Sequence, residues 1–383
     1  MSKKMSHAAD LLGLSHLTVS AVHGVADLAE ELHLQILRQT PGVVARPLGK
    51  GASLIYRGVR GLTQLTGNGV AGILTRLQPL LGEQNAWSGR DAVLAAVNGV
   101  LGDHLARTAN PLAIPMQLRR HGTPWTPADA ISGRVLVLVH GLCMNDLQWR
   151  RNGHDHGAAL EQTHGYSTVY LHYNSGRHIS ENGRAFADQL EALIAQWPVP
   201  VEELVLLGHS MGGLVSRSAC HYGAQAQHRW LRHLRKLVFL GSPHHGAPLE
   251  RGGNWFQVVT DMSPYTAPFS RLARMRSAGI TDLRHGSLLD QDWNGRDRFA
   301  PGQALPQTVA LPPAVACYTV AACIGKAGGG LAGRLAGDGL VPLESALGQQ
   351  LDFAPARQAV VYRTNHMELL DSPAVYRMLA QWL

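Results

Sequence analysis

Short, continuous apolar runs recur along the second part of the chain, and stretches with apolar residues at helical spacing separate them. An apolar run without polar alternation indicates a strand that is covered on both faces. Strands that alternate with helices predict βαβ units and a mainly parallel sheet. We predict strands at residues 135–139, 168–173, 204–207, 237–240, 314–321 and 359–362, and helices at residues 182–196, 211–222 and 373–382.

The N-terminal part of the chain has helical periodicity and lacks the strand-like runs. Apolar residues recur at helical spacing in three segments, 28–37, 52–81 and 91–107. We therefore predict a helical N-terminal extension over residues 1–110 and a catalytic domain over residues 111–383. These helices are expected to pack on the catalytic domain. Homodimerisation, or contact with a lipid surface through Arg57, Arg60 and Arg76, are the alternatives that the pattern leaves open.

Composition and charge narrow the class of protein. Hydrophobic residues make up 45% of the 383 residues and charged residues 16%, which excludes a disordered chain. The net charge of +7 is spread along the sequence, and nucleic-acid binding is not expected because it requires clustered basic residues. No apolar run is long enough for a membrane span or the core of a signal peptide. We expect a cytoplasmic protein, with peripheral contact at the inner membrane surface left open.

The four cysteines favour free thiols over a disulfide framework. Cys143, Cys220, Cys317 and Cys323 are few and widely spread, and their spacing does not match a zinc site. We expect them to be buried and reduced.

The segment GHSMG at residues 208–212 directly follows one predicted strand and opens a predicted helix. A G-x-S-x-G in this context is typical of a nucleophile elbow, a sharp turn that exposes the serine hydroxyl at the carboxyl edge of the sheet. The flanking glycines are needed because the turn leaves no room for side chains. Ser210 is the predicted nucleophile, and the side chain of His209 is expected to point into the packing around the turn.

A serine hydroxyl requires a base to accept its proton and a carboxylate to orient that base. After a nucleophile elbow the acid and then the histidine follow along the chain. Asp338 lies in a glycine-flanked loop after the fifth predicted strand, and His366 directly follows the sixth. We predict Asp338 as the acid and His366 as the base. Asp352 and Asp371 are competing acids, but neither lies in such a loop.

Two backbone amides are the predicted oxyanion hole. One belongs to Met211, directly after the nucleophile, and the other to Leu142 in the segment His140-Gly141-Leu142 after the first predicted strand. Only backbone N–H groups are required, so the side chains of Leu142 and Met211 are expected to matter much less than that of Ser210.

A long insertion separates the fourth predicted strand from Asp338. At roughly ninety residues it is much longer than a connecting loop, so we predict an inserted cap or lid at about residues 246–314. An apolar lid suits acyl chains because it excludes water from the reacting groups. The insertion contains Trp255, Phe256, Val258, Val259, Tyr265, Phe269 and Trp293.

Five segments follow one another through residues 134–367: VLVLVHGL, LVLLGHSMGGLVSR, LVFLGSPHHGAP, GDGLVP and the loop of His366. Together they resemble bacterial lipases and esterases of the α/β-hydrolase superfamily, including PGAP1-like and triacylglycerol-lipase-like proteins. The segment GSPHHG at 241–246 is similar to the G-T/S-P-H-x-G of such lipases. The resemblance implies an α/β-hydrolase fold, hydrolase activity and the same triad. The N-terminal extension has no counterpart in the compact lipases.

No cofactor and no metal ion are predicted. Secreted relatives often hold a structural calcium, but the sequence around Asp338 and His366 offers no convincing carboxylate cluster. The tripeptide His154-Asp155-His156 is expected to be solvated surface near a helix start.

The leading functional hypothesis is a serine carboxylesterase or lipase that acts on apolar ester or lipid substrates through an acyl-enzyme intermediate. A thioester, amide or glycolipid acyl hydrolase would use the same machinery. A catalytically silent lipid-binding or scaffolding protein is the third reading, in which the N-terminal helices are the working part.

Overall fold

The computed structural model describes residues 90–129, 132–247, 277–296, 306–327 and 337–383. The helices predicted within residues 28–37 and 52–81 lie outside these ranges, as does most of the predicted lid. Gly89–Arg107 and Ala113–Leu383 form one compact unit, and a second unit contains Thr108–Leu112. All elements below belong to the first unit.

A single eight-stranded sheet organises this unit. Its order is β2-β1-β4-β3-β5-β6-β7-β8, in which β1 pairs antiparallel with β2 and β4 and all other neighbours are parallel. This architecture confirms the predicted mainly parallel sheet. The strands are β1 Gln117–Arg120, β2 Thr123–Pro124, β3 Arg134–Val139, β4 Ser167–His172, β5 Glu203–His209, β6 Leu234–Leu240, β7 Ala316–Cys323 and β8 Gln358–Tyr362.

Helices connect and cover the strands. The α-helices are α1 Arg90–Arg107, α2 His156–His164, α3 Ile179–Gln196, α4 Met211–Gln225, α5 Ala278–His285, α6 Leu343–Leu347 and α7 Pro373–Trp382. Short 3-10 helices span Pro127–Asp129, Asp146–Trp149, Arg229–Arg232, Asp290–Asp292, Pro355–Arg357 and Met367–Leu370. Within the described ranges, no helix has both the length and the apolar character that crossing a bilayer requires.

The central strands form where the sequence is continuously apolar. Every residue from Val135 to Val139 is fully buried, and β3 pairs with β5 so that Val139 lies beside Gly208. Because parallel strands carry helices on both faces, such a run buries apolar area on each side and stabilises the sheet. The register brings the carboxyl ends of β3, β5 and β6 to one edge, where His209 pairs with Leu240.

The hairpin of β1 and β2 was not predicted. The first predicted strand began at residue 135, but Thr123 and Arg120 already pair across a two-residue turn. His121 and Gly122 both have positive φ, 51° and 77°, as the turns of tight hairpins require. The strand β1 has the sequence QLRR, in which only the leucine is buried, so no apolar run marks it.

Helix α1 matches the third predicted N-terminal helix. Gly99 in this helix accepts a hydrogen bond from Ser277 Oγ at 2.6 Å, and Gly102 accepts one from Asn174 Nδ2 at 2.9 Å. The helix therefore belongs to the same compact unit as the sheet and α5. The predicted division between residues 110 and 111 itself stays a prediction. All four cysteines are buried and free, as predicted.

Candidate active site

Ser210 occupies a sharp turn between β5 and α4. Its backbone has φ 54° and ψ −125°, a conformation that residues other than glycine adopt rarely and that costs about 1–3 kcal/mol. Two backbone hydrogen bonds hold the turn, from Ser210 N to Leu240 O at 2.9 Å and from Gly213 N to Ser210 O at 3.1 Å. The surrounding sheet thus fixes the strained backbone that presents this serine.

The glycines on either side of Ser210 are sterically required. A Cβ on Gly208 would lie 2.5 Å from the amide nitrogen of Gly213. A Cβ on Gly212 would lie far inside van der Waals contact with the carbonyl oxygen of Val139. In both cases the clash is with backbone, which cannot rotate away. These close approaches are what the strand-turn-helix pattern in the sequence predicts.

His366 and Asp338 are joined by two hydrogen bonds. His366 Nδ1 lies 2.6 Å from Asp338 Oδ2, and the His366 amide donates to the Asp338 carbonyl at 3.1 Å. The second carboxylate oxygen, Oδ1, accepts from the amides of Leu340 and Val341 at 2.9 and 2.8 Å. Both side chains are nearly fully buried. The carboxylate is therefore locked in one orientation, and it directs Nε2 of the imidazole away from itself.

Ser210 and His366 line the same cavity. The predicted acid–base pair and the predicted nucleophile thus converge on one site, although they come from three separate loops. Leu142 also lines this cavity. The remaining lining residues are mainly small or apolar: Gly141, Met144, His209, Pro243, Ala247, Leu283, Leu340 and Val341.

The two segments that contain the amides predicted for the oxyanion hole lie next to Ser210. Met211 is the first residue of α4, where backbone N–H groups have no acceptor within the helix and the helix dipole favours negative charge. Gly141 allows the loop after β3 to approach, because a Cβ there would lie 3.0 Å from Ser210 Cβ. This close approach places the segment that contains Leu142 beside the nucleophile.

His140 shapes this loop and does not titrate near neutral pH. Its Nδ1 lies 2.8 Å from the Gly141 carbonyl oxygen, so that nitrogen carries the proton. The ring stacks on Tyr173 with centroids 4.3 Å apart, and the Tyr173 hydroxyl donates to the His140 carbonyl at 2.8 Å. Burial lowers the pKa of His140 to about 3, so the ring is neutral.

His209 contacts the loop of His366, which the sequence did not indicate. As expected, its side chain is fully buried beside the elbow. In addition, Nε2 donates to the carbonyl oxygen of His366 at 3.2 Å, and the two rings lie 4.8 Å apart. Burial and the neighbouring His366 hold the pKa of His209 well below its usual range. The two residues are 157 positions apart along the chain, so the sequence alone could not reveal this bond.

The competing acids lie elsewhere. Asp371 binds Asn152 Nδ2 at 2.6 Å and Arg151 Nε at 3.4 Å, and Asp352 is exposed. Among the candidate acids, Asp338 is the one that contacts His366.

The tripeptide at 154–156 is built into α2 and its surroundings. Asp155 caps the helix by accepting from Ala158 N at 3.1 Å, and it accepts from the Tyr170 hydroxyl at 2.9 Å. His156 is buried rather than solvated, and its Nε2 donates to the Leu369 carbonyl at 2.9 Å. The expectation of a solvated surface was wrong for His156, because the helix turns it inward against Leu369.

The sheet order, the strained turn at Ser210 and the positions of the Asp338 and His366 loops define an α/β-hydrolase fold. Residues 130–311 match the family model described as "PGAP1-like alpha/beta domain". This match spans slightly less than half of the chain and includes the elbow and the loop after β3.

Solved structures with a similar fold include several lipases. The mature lipase BlEst2 of Bacillus licheniformis is 16% identical, with 70% of this chain and 97% of that chain covered and a TM-score of 0.44. Lipase B of Aspergillus fumigatus is 12% identical, with 80% and 66% covered and a TM-score of 0.40. A lipase-esterase related protein of Clostridium acetobutylicum is 13% identical, with 70% and 99% covered and a TM-score of 0.35. Curated protein sequences give no match.

Proposed function

We propose that this chain is a serine carboxylesterase or lipase that hydrolyses esters of apolar acyl groups through an acyl-enzyme intermediate. The observation that carries the proposal is the bond of 2.6 Å between His366 Nδ1 and Asp338 Oδ2, in a cavity that Ser210 also lines. Acyl transfer requires three groups: a nucleophile on a strained elbow, an imidazole, and a carboxylate that orients the imidazole.

In the first half-reaction, Ser210 Oγ attacks the ester carbonyl while His366 Nε2 accepts the hydroxyl proton. Asp338 stabilises the imidazolium that forms, and His366 then returns the proton to the alcohol that leaves. In the second half-reaction a water molecule attacks the acyl carbonyl while His366 Nε2 takes its proton. His366 then returns this proton to Ser210 Oγ as the bond to the acyl group breaks and the carboxylic acid leaves. The imidazole therefore acts as base and then as acid in each half.

The negative charge on the carbonyl oxygen requires donors that are in place before attack. The backbone amides of Met211 and Leu142 are proposed for this role. The helix start at Met211 and the close packing of Gly141 on Ser210 support this assignment.

The cavity favours an uncharged acyl group. Apart from the serine and the two histidines, its described lining is apolar or glycine, with Leu142, Met144 and Leu283 among the largest side chains. Leu283 belongs to α5, inside the predicted insertion at 246–314. Its place on the cavity wall supports the proposal that the insertion contributes to acyl binding.

Hydrolysis of p-nitrophenyl esters from acetate to dodecanoate tests the activity. The wild type is expected to turn over at least one ester, and Ser210→Ala to fall to the background rate. Ser287→Ala is the matched control, because Ser287 is buried outside this cavity and its hydroxyl makes no hydrogen bond within the described ranges. Matched thioesters in the same series distinguish an ester hydrolase from a thioester hydrolase.

The proposal is wrong if the folded wild type cleaves no substrate in either series. It is equally wrong if Ser210→Ala keeps the wild-type rate.

A further inference from the structure

A second cavity shares the segment after β6 with the catalytic cavity. Pro243 and Ala247 line the catalytic cavity. His244 and His245, which lie between these two residues in sequence, line the second cavity. Arg217, from the middle of α4, also lines the second cavity. The proposed hydrolase mechanism uses none of these three polar side chains.

Arg217 is a buried cation that lacks a carboxylate partner in the described part of the chain. Its side chain donates from Nη1 to His244 Nδ1 at 3.3 Å and from Nη2 to the Val309 carbonyl. Its Nε has no acceptor, and the residue is 3% exposed. By contrast, Arg120 and Arg134 pair with Glu161 and Glu203.

The charge on Arg217 persists at neutral pH. Burial lowers the pKa of Arg217 to about 10, which leaves the guanidinium protonated. None of the described residues that line the cavity is Asp or Glu. A buried charge is costly unless an opposite charge and hydrogen bonds compensate it, so an anion in the cavity beside this guanidinium would be stabilised.

The two histidines supply further donors. Nδ1 of His244 accepts from Arg217, which has no lone pair to offer, so the His244 proton lies on Nε2. That Nε2 is buried and has no hydrogen-bond partner among the residues that the structure describes. Nε2 of His245 accepts from the Gln350 amide at 3.3 Å, so the His245 proton lies on Nδ1. His245 is exposed, which gives the cavity contact with solvent.

We propose that this cavity binds a phosphate group through Arg217, His244 and His245. A guanidinium and two imidazole N–H groups from three separate side chains suit a tetrahedral anion with several acceptor oxygens better than a planar carboxylate with two. The phosphate comes either as the free ion or within a phosphate ester such as a phospholipid headgroup. This site does not depend on the proposed hydrolase activity.

Isothermal titration calorimetry of the full chain tests the site. The Ser210→Ala variant is titrated with inorganic phosphate and, separately, with a monomeric short-chain phosphatidic acid, so that turnover cannot contribute heat. Saturable binding of at least one ligand is expected. Tighter binding of the lipid identifies a phosphate ester as the ligand, and tighter binding of phosphate identifies the free ion.

Arg217→Met in the same background removes the charge while it keeps much of the side-chain volume. The dissociation constant is expected to rise at least tenfold. Arg229→Met is the matched control, because Arg229 is exposed, binds Glu191 and lies outside the cavity. Absence of saturable binding for both ligands would overturn the proposal. Equal affinities of the Arg217 and Arg229 variants would also overturn it.

Two further measurements cover the case in which Arg217→Met does not fold. His244→Phe keeps an aromatic ring beside Phe239 and Phe353 but has no N–H, and it is expected to bind at least tenfold more weakly. In wild-type crystals soaked in selenate, an anomalous peak is expected within hydrogen-bond distance of Arg217. An unchanged affinity of the His244 variant, or an empty cavity at saturating selenate, contradicts the site.

Discussion

Asp338 holds His366 by its side chain and by its backbone at once. One bond joins Asp338 Oδ2 to His366 Nδ1 at 2.6 Å, and the other joins the Asp338 carbonyl to the His366 amide at 3.1 Å. The backbone bond ties the two loops together, whereas the side-chain bond fixes the tautomer of the imidazole. These two effects can be separated experimentally.

Asp338→Asn keeps the loop but removes the negative charge opposite the imidazole. The loss of charge and of the correct tautomer is expected to lower kcat roughly 10³- to 10⁴-fold while the chain stays folded. Steady-state kinetics on the best p-nitrophenyl ester, with circular dichroism as the check of folding, measures this effect. Asp352→Asn, at an exposed competing acid, is expected to keep wild-type kcat. A large loss in the Asp352 variant with none in the Asp338 variant would reverse the assignment.

His209 is expected to act as a positioning residue, because its Nε2 donates to the His366 carbonyl at 3.2 Å. His209→Phe keeps the ring but loses this bond, so kcat should fall by roughly 10-fold through misplacement of the base, with KM unchanged. His209→Gln, which restores an N–H donor, should recover part of kcat. A purely structural role would instead lower the stability of both variants and leave their kcat values equal.

Gly212→Ala tests the close packing of the elbow. The new Cβ would meet the Val139 carbonyl, so the free energy of unfolding should fall by about 3 kcal/mol or more, the upper end for overpacking against groups that cannot move. Gly153→Ala is the control, because Gly153 has positive φ of 81° but open space around its Cβ position. The free energy of unfolding of Gly153→Ala should fall by only about 1–2 kcal/mol, because of backbone strain. Urea unfolding of both variants measures the difference, and equal losses would refute the steric explanation.

Acid is expected to destabilise the fold through its buried neutral histidines. Burial lowers the pKa of His156 to about 4, whereas an unfolded chain has a histidine pKa near 6.5. Below pH 6.5 the unfolded chain therefore binds a proton that the folded chain does not. The contribution of neutral His156 to stability is fully present above pH 6.5. As the pH falls towards 4 this contribution is lost, and the free energy of unfolding decreases by up to about 3 kcal/mol.

Urea unfolding at several values between pH 7 and pH 4.5 measures this loss. In His156→Gln the free energy of unfolding should decline less steeply with falling pH, because one of the titrating groups is gone. The slope should differ from that of the wild type by at most about 1.4 kcal/mol per pH unit. His121→Asn, at an exposed histidine, should keep the wild-type slope. The same slope in all three proteins would contradict a linkage to His156.

The interior strands were predictable because burial on both faces leaves a continuous apolar run, as in β3 and β5. The exact ends of the strands and helices were less predictable. β7 begins at Ala316 rather than at 314, because Ala314 has φ 62° and lies in a turn. Helix α3 begins at Ile179, before the predicted 182, because Asp282 Oδ2 accepts from the Ile179 amide at 2.8 Å. That cap comes from a residue 103 positions away, which no local pattern reveals.

The candidate site was predictable to the extent that chain order encodes it. Ser210, Asp338 and His366 each follow a strand, and the parallel sheet brings those strand ends to one edge. The bond from His209 to His366 and the cavity around Arg217 were not predictable, because they depend on contacts between loops and helices that lie far apart in sequence.

Covalent labelling with a fluorophosphonate, followed by peptide mapping by mass spectrometry, tests the central claim most directly. The reagent phosphonylates a serine only where an imidazole base and an oxyanion hole activate it. We expect a single adduct, on Ser210, that disappears in Ser210→Ala and forms far more slowly in His366→Ala. Folded wild-type protein that stays unlabelled, or an adduct that persists in Ser210→Ala, would contradict the account.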